Sequence, residues 1–361
     1  MRRGDLFKYN LEHIRYRSLD DGHFNIDLVS NSKRIYLKRD PVQVQSLHTP
    51  FDPDRFNFTK VKPDEVVFQL TDDSCICSDD ESKADSATNK NPSTTSVGTD
   101  QHLLIINISP IDVGHSLVVP FIHHSFNQVV RFECMKFALK LYMQSSSSLF
   151  VLLYNSLLAY ASVNHLHFHV YYLPKTIRLM TQDVQMLNST LDVYVLKDWL
   201  TPAWIFQLHE ITDLEKYAKY IFIASETCRH SGYALNIATL RRSRLGDLPK
   251  QVPLRFDLVS RVHDQNNSNS NSLCSCDDQE QMLYVTTFVF PKLPVYGTWV
   301  GGELKMCPAV CESVGQILIY EEDYFDKVNV DDVYRMFDAV RLPDDKFEEL
   351  TKTLIENLET A

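Results

Sequence analysis

The chain has 361 residues, 44% hydrophobic and 23% charged, which is an ordinary globular balance and long enough for a large core. Its formal net charge of −11 argues against broad binding to nucleic acid or to an anionic membrane surface, while leaving room for a local phosphate pocket. The opening Met1-Arg2-Arg3-Gly4-Asp5 has no apolar run behind it, and the apolar stretch from Leu149 to Val163 is interrupted by Asn155, Ser156 and Ser162 and is too short to span a bilayer. A soluble cytoplasmic protein with no nucleic-acid or membrane partner is therefore expected.

In chain order, β-branched and aromatic runs bounded by turn residues predict strands at Glu65–Leu70, Leu103–Ile108, Ser116–Pro120, Leu149–Asn155, His165–Leu173, Leu191–Leu196, Ala234–Leu240, Met282–Pro291 and Gln316–Tyr320. Helical spacing of Phe132, Met135, Leu139 and Tyr142 predicts a helix over Gln128–Gln144, and a second is predicted over Ile211–His230. Two more, Asp331–Val340 and Asp344–Leu358, are separated by Pro343. The sum is an α+β chain, largely antiparallel sheet flanked by helices. Two polar segments, 72–100 and 264–281, hold too little apolar surface to offset ordering entropy and are expected to be disordered insertions in one catalytic unit spanning 1–361. No internal repeat is evident by eye.

Of eight cysteines, Cys134, Cys228, Cys307 and Cys311 are scattered in apolar surroundings, whereas Cys75/Cys77 and Cys274/Cys276 form C-x-C pairs inside the polar segments. A structural zinc needs a closed, rigid ligand set, so these pairs are expected to be free thiols.

The most informative stretch is Asn164-His165-Leu166-His167-Phe168-His169-Val170. In a strand, side chains alternate between faces, so three imidazoles share one face and Leu166, Phe168 and Val170 the other. Such a row can hold a metal, since neutral imidazole is a common ligand. It can also supply a nucleophile whose tautomer is fixed through its other ring nitrogen. The plain alternative is a His-rich strand end without chemistry. Three consecutive strand positions converge poorly on a tetrahedral metal, and no H-E-x-x-H pattern is present, so the nucleophile is the favoured reading and no cofactor is expected. Upstream, Asn107 and Ser109 lie near the tip of a hairpin, where Asn suits a ribose hydroxyl or a local turn. Asn155 and Ser162 flank the turn before the His row, and a hydroxyl at Ser162 can donate to a phosphate oxygen.

The run Ser162-Val163-Asn164-His165-Leu166-His167-Phe168-His169-Val170 resembles the histidine-triad pattern, and Asn107-Ile108-Ser109-Pro110 with Gly114-His115 and Val119-Pro120 resembles that superfamily's preceding strand pair. Phe51-Asp52-Pro53, Phe56-Asn57-Phe58-Thr59-Lys60-Val61, Asn236 to Arg241 and Pro308 to Gly315 are similar to blocks of the animal GDP-D-glucose phosphorylases, relatives of the plant GDP-L-galactose phosphorylases. The resemblance implies a histidine-triad-like fold and a nucleotidyltransferase acting on GDP-glucose or a related GDP-hexose and inorganic phosphate. It implies His167 as the nucleophile, His165 and His169 as its orienting or phosphate-contacting neighbours, Asn107 at the ribose, Ser162 at the phosphate and Lys60 as a further anion contact. A hydrolase of the same superfamily and a guanine-nucleotide-binding protein without turnover are the alternatives. Four positions depart from the family: Leu158-Ala159 stand where it carries Gly-Gly, Arg242 where it carries Gly, and Gln316 where it carries His. Glycines near a phosphate permit unusual φ and close approach, and Gln cannot shuttle a proton.

Overall fold

The structure is a computed structural model that describes residues 11, 14–20, 25–30, 44–71, 100–245, 283–296 and 306–361. Residues 72–99 and 264–281, with both C-x-C pairs, lie outside the described residues. The strands, in chain order, are β1 (Arg15–Asp20), β2 (Asn25–Ser30), β3 (Val66–Thr71), β4 (Gln101–Ile106), β5 (Ser116–Val119), β6 (Phe150–Asn155), β7 (Phe168–Tyr172), β8 (Gln185–Asn188), β9 (Val193–Leu196), β10 (Ala203–Leu208), β11 (Ala234–Arg242), β12 (Tyr284–Lys292) and β13 (Gln316–Ile319). The helices are α1 (Phe132–Met143), α2 (Leu214–His230), α3 (Val310–Ser313), α4 (Glu322–Phe325), α5 (Val330–Asp338) and α6 (Asp344–Glu359).

Ten strands form one antiparallel sheet in the order β3-β4-β5-β7-β6-β11-β12-β10-β9-β8. The order resolves into two five-stranded halves, β3-β4-β5-β7-β6 and β8-β9-β10-β12-β11, that meet at β6 and β11. Each half places a helix between its third and fourth strands in sequence, α1 in the first and α2 in the second. The repeat absent to the eye in the sequence is therefore present in the topology. A second, three-stranded sheet pairs β2 antiparallel with β1 and parallel with β13.

Sheet alternation sets the two cores. Phe168 and Val170 of β7, with Leu152 and Tyr154 of β6, point to the face covered by α1, α2 and α6. Tyr171 of β7, with Val151 and Leu153 of β6, points to the opposite face, where Val310, Cys311, Ile317, Val333 and Phe337 cover the sheet. Phe168 is fully buried, and that burial contributes on the order of 2–3 kcal/mol.

Two boundaries differ from expectation for reasons that matter to the site. The predicted strand over His165–Leu173 begins only at Phe168. Leu166 N–H donates to Phe126 O (2.8 Å) and His167 N–H to the Gln128 side chain (2.9 Å), so a loop replaces the neighbouring strand as their partner. The helix predicted from Gln128 starts at Phe132, after Arg131 in extended backbone (φ −123°, ψ 145°), and the Gln128 carbonyl that a longer helix would pair with Phe132 N–H accepts from the Tyr154 hydroxyl instead (2.9 Å). Strands β1, β2, β8 and β10 were not expected; β10 is buried throughout and so lacks the alternation that marks a half-exposed strand.

Candidate active site

The three imidazoles lie together at the start of β7. The His167 and His169 ring centroids are 5.1 Å apart, and Phe58 sits against both His167 (4.9 Å) and His165 (5.6 Å). His165 and His167 are almost wholly buried and His169 is half-buried.

The hydrogen-bond partners fix each ring's tautomer. Gln128 is the anchor for His167. Its Nε2 donates to the carbonyls of Asn155 (2.9 Å) and His167 (3.1 Å), so its Oε1 must be the acceptor. That oxygen accepts from His167 N–H and lies 2.9 Å from His167 Nδ1, which is also 2.8 Å from the His165 carbonyl. Two acceptors on Nδ1 place the proton there, and Nε2 keeps its lone pair. Gln128 is held in turn by Asn164 Oδ1, which accepts from its N–H, and by Tyr154, whose hydroxyl donates to its carbonyl (2.9 Å).

His165 Nδ1 accepts from Phe58 N–H (3.1 Å), so its Nε2 carries the proton, and that buried N–H has no hydrogen-bond partner. His115, on the loop entering β5, accepts from Ile111 N–H at Nδ1 (2.8 Å) and so presents Nε2–H to His169 Nδ1 at 2.9 Å. His169 is thereby left with its proton on Nε2. The cluster combines one nucleophilic nitrogen with two ring N–H donors. Burial pushes the pKa of both His165 and His167 down to about 4; the charge of His167 adds to the effect at His165, and the bond to the His165 carbonyl partly opposes it at His167. A neutral His167 at pH 7 is the form that can attack phosphorus.

The remaining expected residues divide. Asn107 makes the hairpin turn, its Oδ1 accepting from Ser109 N–H (3.0 Å), and its amide lies 3.2 Å from His115 Nε2. Ser109 is buried and Ser162 is half-buried, three residues before His165. Asn155 Oδ1 accepts from Asn236 Nδ2 (2.8 Å) and Val310 N–H (3.0 Å), bracing the junction of the two halves. Lys60 directs its ammonium to the carbonyls of Pro53, Asp54 and Arg55 (2.6–3.1 Å), which fold the loop before it. Among the described residues, no three His, Cys, Asp or Glu side chains are grouped as a metal ion requires. Gln128 and His115 were not assigned roles from sequence. His115 follows Gly114 in the hairpin motif, but nothing local marks Gln128.

The departures have structural consequences. Leu158 has φ of +60° and Tyr160 of +74°, so the Leu158-Ala159 turn keeps a backbone that suits glycine. Arg242 is buried with only its Nη2 bonded, to Gln182 O (2.8 Å). Gln316 accepts from the Tyr171 hydroxyl (2.5 Å), two residues along β7 from His169.

Residues 1–171 match the family described as GDPGP1-like, N-terminal domain. The GDP-D-glucose phosphorylase 1 of Caenorhabditis elegans is 28% identical over 347 residues, covering 95% of this chain and 63% of that protein. The chain is similar in sequence to the GDP-D-glucose phosphorylases. It spans less than two-thirds of the nematode protein's length, but 84% of the Xenopus laevis GDP-D-glucose phosphorylase 1, to which it is 23% identical over 372 residues. The GDP-L-galactose phosphorylase 1 of Arabidopsis thaliana is 22% identical over 362 residues, 97% of this chain and 70% of that one. The crystal structure of a yeast Ap4A phosphorylase with Ap4A superposes with a TM-score of 0.53 at 11% identity, covering 93% of this chain and 94% of its own, which establishes a shared fold. No helix among the described residues is long and apolar enough to cross a membrane.

Proposed function

We propose that this protein is a GDP-hexose phosphorylase, acting as one unit over its whole length. His167 Nε2 attacks the α-phosphorus of GDP-glucose or a related GDP-hexose. The bond from that phosphorus to the bridging oxygen breaks, hexose 1-phosphate leaves, and GMP remains on the imidazole. An oxygen of inorganic phosphate then attacks the same phosphorus, the P–N bond breaks, and GDP is released. The covalent step splits one difficult displacement into two easier ones. Phosphoryl transfer depends chiefly on positioning and on stabilising charge on the equatorial oxygens. The N–H groups of His165 and His169 fill that second role, and the proton on His169 Nε2 is available to the departing phosphate.

The observation that carries this reading is the set of tautomers: a lone pair on His167 Nε2 with a proton on Nε2 of each sibling ring. The relatives' names support the substrate class. We assign Asn107 and Ser109 to the ribose side and Ser162 to the phosphate side, and read Asn155 and Lys60 as braces. Four free, buried thiols suit a reducing compartment, and we place the reaction in the cytoplasm.

The test is incubation with GDP-glucose, with and without phosphate, followed by chromatography. GDP and glucose 1-phosphate forming only with phosphate is the expected result. GMP formed regardless of phosphate would mean a hydrolase. His167→Ala should keep the fold and form no guanylylated protein; label retained on that variant would place the nucleophile elsewhere.

A further inference from the structure

The three-stranded sheet shares no strand with the sheet that carries the triad, yet it reaches the hairpin that holds His115. Alternation along β1 sends Arg15 and Arg17 one way and Tyr16 and Ser18 the other. The two arginines tie the strand down. Arg17 donates to the carbonyls of Phe325 (2.7 Å) and Val328 (2.8 Å), and Arg15 pairs with Asp326 (2.6 Å). On the opposite face, the Tyr16 hydroxyl donates to Asp112 Oδ2 (2.7 Å), in the turn before β5, and Ser18 accepts from Lys175, just beyond β7 (3.0 Å). Strand β13 of the same sheet adds Gln316, which accepts from the Tyr171 hydroxyl.

Asp112 is the knot of that turn. It is almost wholly buried; its Oδ1 accepts from Val113 N–H (2.7 Å) and its carbonyl from His115 N–H (3.2 Å). The turn has little slack, because Gly114 has φ of +75° and the Tyr172 ring lies 3.3 Å from where a Cβ would stand. His115 is thus fixed from its backbone outward. Its Nδ1 accepts from Ile111 N–H (2.8 Å), its ring lies against Tyr171 with centroids 5.3 Å apart, and its Nε2–H meets His169 Nδ1 at 2.9 Å. The phenol gives a buried carboxylate a charge-assisted hydrogen bond. Without that donor the oxygen turns toward water, and the turn moves with it. A hydrogen bond weakens steeply as its length and angle depart from ideal, so a small shift of His115 frees the His169 proton to leave Nε2 for Nδ1.

We infer that the three-stranded sheet is a clamp on the His115 hairpin, and that Tyr16 is a positioning residue, acting through Asp112 and His115 to keep the His169 proton on Nε2. The inference rests on the phosphorylase reading for what that proton does, and on geometry alone for where it is held.

Tyr16→Phe removes only the hydroxyl, from a side chain that is already 45% exposed, so the fold should persist. With GDP-glucose and phosphate, kcat should fall about 10-fold and KM should stay within about 2-fold, as expected when an interaction made in the transition state is lost. The same substitution in a His115→Phe background should cost less than about 2-fold more, because two residues acting through one bond are not additive. A general loosening of the fold would instead lower kcat by the same factor in both backgrounds, and that result overturns the clamp. So does an unchanged kcat in Tyr16→Phe. The second measurement needs no turnover: long-range ¹H–¹⁵N spectra of protein labelled at histidine report which ring nitrogen bears the proton. Wild type should show His169 protonated on Nε2, and Tyr16→Phe should draw its two nitrogen shifts toward each other. Unmoved shifts overturn the clamp. If wild type does not turn over GDP-glucose, the phosphorylase reading fails, and the spectra alone decide the clamp.

Discussion

Replacing Gln128 by methionine keeps the side-chain length and removes every polar contact it makes. His167 N–H, His167 O and Asn155 O would each lose the bond from Gln128 in a buried setting. An orphaned buried group costs about 1–3 kcal/mol, so the variant should lose roughly 3 kcal/mol or more of a total that is typically about 5–15. The chemical effect is smaller than complete loss of tautomer control, which costs roughly 10⁴-fold in a serine-protease triad. His167 Nδ1–H retains the His165 carbonyl at 2.8 Å, so guanylylation should slow by about 10–100-fold. Urea denaturation reads the first quantity, and rapid-quench formation of labelled protein from α-labelled GDP-glucose, stopped in alkali, reads the second. Gln128→Glu separates geometry from packing: a carboxylate beside Nδ1–H favours the imidazolium, so the acid limb of the rate profile should move up from about pH 4. Wild-type guanylylation by Gln128→Met, or an unmoved acid limb in Gln128→Glu, would refute the anchoring role.

His115→Phe should lower kcat by about 100-fold with little change in KM, because His169 loses the donor that holds its proton on Nε2; His115→Gln, which keeps a donor, should recover part of it, and equal losses in both would refute the relay. Stability should fall on acidification between pH 6.5 and 4. Above 6.5 both states leave His165 and His167 neutral, whereas below it the unfolded chain binds protons that the folded one refuses. The cost is on the order of 3 kcal/mol per ring when complete, and a His165→Gln variant with the wild-type urea midpoint change from pH 7.5 to 4.5 would contradict it. Arg242→Met should stabilise the protein by about 1 kcal/mol, since burial already lowers the guanidinium pKa to about 10 and two of its nitrogens have no partner; a fall in melting temperature would show that the buried charge contributes more than it costs.

How much was legible from sequence follows from how local each feature is. The His row, the Asn107–His115 hairpin and most of the strands and helices are written in spacings of two to four residues, and side-chain periodicity is a local property. The strand start was misplaced by three residues because the competing partner, Gln128, lies 39 residues away. Sequence gives no sign of the partners that the fold supplies to Asn155 and Lys60, which include Val310 N–H and the carbonyls of the loop from Pro53 to Arg55.

The amino-acid order alone determined that three imidazoles would share a row backed by Leu166, Phe168 and Val170, because alternation and hydrophobic burial act on adjacent residues. Tertiary structure decided which nitrogen of each ring carries the proton. Those choices rest on Phe58, His115 and Gln128, separated from their imidazoles by 107, 54 and 39 residues. A hydrogen bond is blind to sequence distance, and only the closure of the sheet brings such partners to between 2.9 and 3.1 Å. The doubled five-strand order belongs to the same class: backbone pairing preserves it after the side chains that would reveal it have diverged.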